Sequence, residues 1–448
     1  MNWETSIPLA RPVRLWSADP IHSRRVSWLE LFFDLIFVAA VAQVGAPLGG
    51  DYSVHGLVRY ALMFLLIWWA WLGHTMYSTR FDADDVVQRL LTLLQIFAAA
   101  AMAANAKAAF DSRDSAGFGA AYAVLRAVQV VQYLRARRLR GTRGLVTLYC
   151  GGFGAAALLW GLAAMVPAPS RFWVWALALL IDMGTPWLAV QYTHKCPPDA
   201  EHLPERFGLF TIILLGESVA AVMHGMESQD SWSPAAAISA FTGLSLAFGY
   251  WWWYFDGAHG AAERHVTSGR STFLFQVWSF AHFPLYLSIA VLGVGVEHVI
   301  ALAPGAHLHR EDAWIVTGAA TVLMTALTII GFTSDAHMHQ PRLGRFVVRL
   351  VLCFAAPVAS FAATAVLPCI LLIFLAVLCA AQIVVATSDA KGEREVESEE
   401  LALVADLEAL ACSHPDTPTY LVADDDVDSV RYAFGGRSPG NERRRPND

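Results

Sequence analysis

Charge is what this chain has least of for its length. Of 448 residues 15% are charged and 56% hydrophobic, and the mean hydropathy is +0.45. A soluble globule cannot hide that much apolar surface, so the soluble classes are excluded. Lysine is scarce, three of 31 basic residues (Lys107, Lys195, Lys391). With the abundant alanine, that marks a GC-rich bacterial gene. The six cysteines (Cys150, Cys196, Cys353, Cys369, Cys379, Cys412) show no CxxC pair and no framework spacing. They read as small apolar fillers, not as disulfides or metal ligands. Walker A and dinucleotide fingerprints are missing. Gly216-Glu217-Ser218 begins like a nucleophile elbow, but Ala220 stands where the second glycine is needed, and the match sits inside a helical run. His307 and His309 beside Glu311 and Asp312, and His337 with His339, are weakly specific for metal. No enzyme, cofactor, resident metal or nucleic-acid partner is therefore expected. Met1–Arg25 lacks an apolar signal core, so the first membrane segment is expected to serve as the targeting signal.

What the chain does have is apolar runs near twenty residues, separated by charged punctuation. The reading is an all-α polytopic integral membrane protein with about twelve transmembrane helices. They fall at 28–46, 57–78, 89–108, 117–135, 145–166, 172–192, 207–225, 235–256, 274–298, 313–332, 346–365 and 367–387. Arginines and lysines crowd alternate loops: Arg80 and Arg89; Arg135, Arg137, Arg138, Arg140 and Arg143; Lys195 and Arg206; Arg264 and Arg270; Arg342 and Arg345. The other loops carry few, so both termini are expected on the cytoplasmic side of a bacterial plasma membrane.

Three regions follow: a cytoplasmic segment 1–27, a helical domain 28–388 and a tail 389–448. The tail holds 15 acidic and 7 basic residues, which is the whole negative charge of the chain. It reads as largely disordered, with one short amphipathic helix over 393–411. The body shows a hint of duplication. Glu30–Val41 resembles Glu205–Val222. Tyr77…Phe81-Asp82 and Tyr254-Phe255-Asp256 each follow a tryptophan cluster. Halves 28–192 and 205–388 would be parallel six-helix repeats.

Ionisable residues inside the runs are the candidate functional groups. Glu30 and Asp34 lie four apart on one face of the first span, about 6 Å in rise, with Asp34 about 9 Å deep. Arg126, Asp182 and Glu217 fall mid-span, each costing roughly 2.5–3.5 kcal/mol at a helix centre. Arg126 is expected to neutralise Asp182 or Glu217, as a structural ion pair or as a switchable one. Asp34 is expected to titrate as a coupling carboxylate, with Glu30 its gatekeeper. The bland alternative has Asp34 held ionised by Arg80 or Arg126. Arg80, Asp82, Asp84, Asp85 and Arg89 form the cytoplasmic mouth, and Asp256 should match Asp82 in depth. His74 and His282 read first as satisfied packing groups, His282 also as a candidate in the pathway.

The segments WLELFFDLIFV (28–38), STRFDADDVVQRL (78–90), ERFGLFTIILLGES (205–218) and FGYWWWYFD (248–256) resemble the bacterial low-temperature-requirement A (LtrA) family over roughly 24–388. That resemblance implies a multipass membrane protein linked by name to growth in the cold, and it names no substrate. The residues favour a proton- or cation-coupled transporter of a small solute. Its binding and transport groups would be Glu30, Asp34, Arg80, Asp82, Arg126, Asp182, Glu205, Arg206, Glu217, Asp256 and His282. The alternatives are a cation channel, against which no filter sequence is visible, and a lipid-binding or intramembrane adaptation protein. Membrane lipids, a small solute or cation, and a second copy of the chain are the expected partners.

Overall fold

Helix boundaries follow the punctuation between the runs. In the computed structural model, which describes residues 7–16, 26–110, 115–139, 141–229, 233–266, 268–303, 305–335, 343–388, 419–422 and 431–434, α1 (Trp28–Gly45) opens with a reciprocal cap. Ser27 Oγ accepts the Glu30 N–H at 3.3 Å, and the Glu30 carboxylate accepts the Ser27 N–H at 2.9 Å. Such a box satisfies donors that the first turn would leave bare. Ser53, Ser233 and Ser268 cap α2 (Val54–Ser78), α8 (Pro234–Trp252) and α9 (Gly269–Ala301) in the same way. Between them lie α3 (Val86–Phe110), α4 (Ala116–Ala136), α5 (Arg143–Ala163), α6 (Ser170–Leu188) and α7 (His202–Glu227). After α9 come α10 (Arg310–Asp335), α11 (Leu343–Cys353), α12 (Ala355–Ala363) and α13 (Pro368–Ser388).

Each expected span falls on a helix, the eleventh on α11 and α12 together. Among the described residues, nine helical stretches are long and apolar enough to cross a membrane. α4, α6 and α8 are not among them. α4 carries Arg126, Gln129, Gln132 and Arg135, α6 carries Asp182, and α8 is diluted by glycine, serine and tyrosine. Hydropathy alone therefore supports nine crossings, not twelve. The surface is apolar on the outside, with Leu158, Leu180, Phe241 and Val384 all well exposed. That is the surface of a protein whose solvent is lipid.

α1 packs on α2 and α3, α3 on α4, α4 on α5 and α5 on α6. α7 packs on α8 and α9, α9 on α10, and α10 on α11 and α12. The two groups meet where α1 and α2 lie against α7 and α9. Loops gather at one end, the proximal face: Asp199 N–H donates to Thr79 O at 2.9 Å, Arg264 N–H to Ala200 O at 2.9 Å, and Arg80 Nε to Cys196 O at 3.1 Å. There β1 (Arg14–Leu15) pairs antiparallel with β2 (Phe81–Asp82). A small apolar cluster that includes Val13, Tyr77, Phe81, Tyr133 and Cys196 lies under that pairing.

In the tail, Thr419–Val422 (β3) and Arg431–Phe434 (β4) pair as an antiparallel hairpin. Aromatic and β-branched residues in TYLV and RYAF suit that pairing, and the rest of 389–448 lies outside the described residues. The helix expected over 393–411 lies outside the described residues.

Candidate functional site: a buried ion network beneath a polar pocket

Asp34 enters the site from α1 and Arg206 from the first turns of α7. Both side chains are fully buried. Arg206 Nε donates to Asp34 Oδ2 at 3.0 Å and Nη2 to Oδ1 at 2.5 Å, the two-pronged geometry that guanidinium and carboxylate make best. Trp71 Nε1 of α2 donates to Oδ1 at 2.7 Å. The third prong, Nη1, lies 3.2 Å from Ser78 Oγ and 3.3 Å from Glu30 Oε1. His202 Nε2 is also 3.3 Å from Glu30 Oε1, and Glu205 reaches His202 Nδ1 at 3.6 Å. One arginine is thus shared by the two carboxylates of the first span.

This corrects two expectations. Asp34 is held by Arg206, not by Arg80 or Arg126. Glu30 is the cap of its own helix as well as an Arg206 partner, so it is more than a gatekeeper. Arg206, read as loop punctuation, is the centre of the network. The usable signal was depth. Asp34 lies six residues into its helix and Arg206 four into its own, so both charges sit about one turn below the same face.

Above this network a cavity of about 610 Å³ opens at the proximal face. Glu30, His74, Tyr77 and Ser78 form its inner wall, and Arg11, Asp82, Asp84 and Arg89 line its rim. The rim charges are paired: Arg11 with Asp82 at 2.5 Å and Arg89 with Asp84 at 3.0 Å. Arg80 takes no part in that network. It is buried and donates to the carbonyls of Cys196 and Met76, which ties α2 to the following loops. Asp85 accepts the N–H groups of Arg11 and Gln88 and pairs with Arg135 at 2.5 Å. Burial alone would raise its pKa, but these donors outweigh burial and hold the carboxyl below the ordinary carboxylate value.

A second buried pair joins α4 to α6. Arg126 Nε donates to Asp182 Oδ2 at 2.8 Å, and Tyr122 OH donates to the same oxygen at 2.9 Å. The other guanidinium nitrogens reach Gln129 Oε1 at 2.5 Å and Trp69 O at 3.1 Å. A Cβ at Gly73 would collide with this guanidinium and with Gln129, so glycine is what lets α2 approach. Of the two partners expected for Arg126, Asp182 is the one present.

Glu217 stands apart. It is half-buried on α7, eleven residues and about 16 Å beyond Arg206. Asp256 is exposed in the π-turn that ends α8, and Asp82 is half-buried under Arg11. His282 is a packing group. Its Nδ1–H donates to Trp278 O at 2.7 Å, leaving Nε2 to accept from Tyr254 OH at 3.0 Å, so both nitrogens are satisfied in the neutral ring. Glu217, Asp256 and His282 are not brought to the pocket. At the opposite face Asp312 turns to His298 at 3.4 Å and His307 Nδ1 donates to Val366 O at 3.1 Å. His337 and His339 lie outside the described residues.

A helical bundle with a lipid-like exterior and two desolvated ion pairs defines a multipass membrane protein with a charged interior. The sequence model described as bacterial low temperature requirement A protein (LtrA) matches residues 25–385, and the chain belongs to that family. An uncharacterized protein of Rhizobium meliloti (strain 1021) is 26% identical over 302 residues, which cover 62% of this chain and 70% of that protein.

Proposed function

We propose that this protein is a coupled carrier of a small solute and that the proximal face is cytoplasmic. The observation that carries the reading is the sharing of Arg206 between Glu30, which lines the pocket, and Asp34, which lies beneath it. A proton or cation arriving at Glu30 weakens one arm of that sharing without breaking the other. Such an arrangement can move between two states at low cost. Asp34 anchors, Glu30 and Arg206 switch, Arg126 and Asp182 tie the neighbouring helices, and the loop 80–89 gates the mouth. Twelve crossings with both ends inside fit the loop charges. Parallel six-helix halves fit the packing order, since α1 on α2 and α3, then α3 on α4, recurs as α7 on α8 and α9, then α9 on α10. No step in this reading needs an enzyme's nucleophile or a cofactor.

The purified protein in proteoliposomes should take up solute with saturation and with dependence on the pH gradient. Non-saturating currents would instead make it a channel, and the absence of both would remove the proposal.

One observation favours a second reading, lipid binding. A cavity of about 630 Å³ opens between α2, α9 and α10. Leu57, Val58, Val291, Ile315 and Val322 line its length, while Tyr52 and Glu311 stand at one end, a profile that fits an acyl chain below a polar head. Crosslinking of a photoactivatable lipid at Val58 or Val322, together with absent solute flux, would favour it.

A further inference from the structure

Between α2, α3 and α4 runs a file of polar side chains that neither ion pair requires. His74 Nδ1 meets Gln95 Oε1 at 2.8 Å, and Gln132 Nε2 donates to the same oxygen at 3.2 Å. Gln129, one turn from Gln132, binds Arg126. The spacing is helical on each element: Gln88, Thr92 and Gln95 on α3, and Tyr122, Arg126, Gln129 and Tyr133 on α4. Gln95, Gln129 and Gln132 are fully buried.

Five polar atoms on these three helices are buried and have no hydrogen-bond partner among the described residues: Gln95 Nε2, Gln129 Nε2 and Gln132 Oε1 of the file, and Tyr77 OH and Tyr133 OH, whose rings pack on each other and, for Tyr133, on Tyr149 of α5. Unsatisfied buried polar groups are rare because each costs about 1–3 kcal/mol. Five on three neighbouring helices therefore point to a ligand. Its chemistry follows from the set. Two are donors, one is an acceptor, and two are hydroxyls that can be either. A cation wants acceptors alone and an anion donors alone, and Arg126 is already neutralised by Asp182. Water is the ligand that gives and takes in equal measure.

The file is joined to the pocket at one end, because His74 lines both. At the other end, beyond Arg126, aromatic rings close it: Tyr122 lies 4.5 Å from Trp160, Trp160 lies 5.0 Å from Trp175, and Trp175 lies 5.7 Å from Phe118.

We infer that the file is a water-filled blind branch of the proximal pocket, running past His74 to the Arg126–Asp182 pair and stopped by the Tyr122–Trp160–Trp175 stack. The inference does not rest on transport. It holds equally for a carrier, a channel or a lipid-binding protein.

The test is radiolytic hydroxyl-radical labelling of the intact protein in lipid nanodiscs, read by mass spectrometry. Radicals form from water in place, so side chains beside internal water are oxidised although bulk solvent does not reach them. Tyr77 and Tyr133, 1% and 0% exposed, should be oxidised several-fold faster than Trp278, which is equally buried away from the file and donates its Nε1–H to Gly260 O. Tryptophan is intrinsically the more reactive ring, so an excess at tyrosine cannot come from ring chemistry. The double variant Gln95→Leu/Gln132→Leu should bring Tyr133 down to the rate of Trp278 while leaving Trp28, 86% exposed, unchanged. If that variant does not fold, Gln129→Leu takes its place. A wild-type Tyr133 no faster than Trp278, or a folded variant with unchanged Tyr133 labelling, overturns the inference. A null flux experiment would touch neither result.

Discussion

Arg206 is the residue on which the interior depends, because it answers two carboxylates at once. Replacing Arg206 with Leu leaves Asp34 buried with only Trp71 Nε1 as a donor, and stranding one member of a buried pair costs about 3–5 kcal/mol. Thermal unfolding in detergent should show that loss, and Arg206→Leu/Asp34→Leu should recover most of it. Arg206→Lys should fall short of wild type, since an ammonium cannot span both carboxylate oxygens. Equal stability for the arginine and lysine forms would refute the bidentate role. The second pair offers an internal control. Arg126→Leu should be rescued by Asp182→Asn and not by Glu217→Gln, and Glu217→Gln alone should change stability by no more than about 0.5 kcal/mol, because Glu217 is half-buried outside the network. Rescue through Glu217 would mean that the pairing is misassigned. The carboxylates were legible in the sequence, since a charge in an apolar run announces itself. Their partners were legible only for Arg126. Arg206 begins a helix instead of interrupting one, and contact across 172 residues leaves no local trace. The glutamines of the buried file escaped notice for a related reason. An amide in a span is cheap enough not to stand out, and only the meeting of three helices shows that they share a crevice.

The N-terminal segment illustrates how an element without regular structure of its own becomes part of the fold. Between Pro8 and Trp16 it has a two-residue strand, yet it lies across the loop before α3. Val86 and Val87 N–H groups donate to Pro8 and Leu9 carbonyls, and Trp16 N–H to Arg80 O. Arg11 contributes both its backbone N–H to Asp85 and its guanidinium to Asp82. Asp85 is the hub, fixed from the other side by Arg135 of α4. Its pKa is depressed in the folded state, so its contribution is fully present above the ordinary carboxylate value of 3.8 and is lost as pH falls below it. Docking of the strap should therefore hold from pH 8 to about 4. Asp85→Asn should release it at neutral pH. A cysteine at Leu9, 74% exposed, is a poor reporter, whereas one at Val13, 4% exposed, should become reactive to a polar maleimide when the strap lifts. Unchanged reactivity of Val13→Cys in the Asp85→Asn background would show that the backbone pairing alone holds the strap. The sequence placed the charges of residues 80–89 at the mouth, but it did not show that residues 8–16 complete their pairing, because no apolar period marks an element so short.

At the scale of the whole molecule, two sequence signals give different counts of membrane crossings, and the helices show why. Length and apolarity find nine, omitting α4, α6 and α8. Apolar runs divided at charged punctuation number twelve. α4 and α6 fail on hydropathy because they carry the Arg126–Asp182 pair and, on α4, Gln129 and Gln132, all of which turn into the bundle instead of toward lipid. A membrane helix whose polar face is buried among its neighbours needs apolar residues only on its outer face. α6 shows that face plainly, with Trp173, Leu177, Leu180 and Trp187 exposed. The same argument extends to α8, whose Phe241, Leu244 and Phe248 face outward while Thr242 and Ser239 turn in. If all three cross, every loop of the proximal face lies on one side of the membrane and the loop before α10 on the other. Single cysteines placed at Arg138, exposed after α4, and at His309, exposed before α10, decide between the counts. In intact cells an impermeant maleimide should label His309→Cys, while Arg138→Cys should react only after the membrane is opened. Five crossings, α5 to α9, separate the two positions in the twelve-span arrangement, and with only one of α6 and α8 lying in the interface both cysteines would react from the same side. With nine crossings, α4, α6 and α8 all omitted and the N-terminal segment inside, the pattern would reverse: Arg138→Cys would react in intact cells and His309→Cys only after the membrane is opened, and either result would remove the twelve-span arrangement.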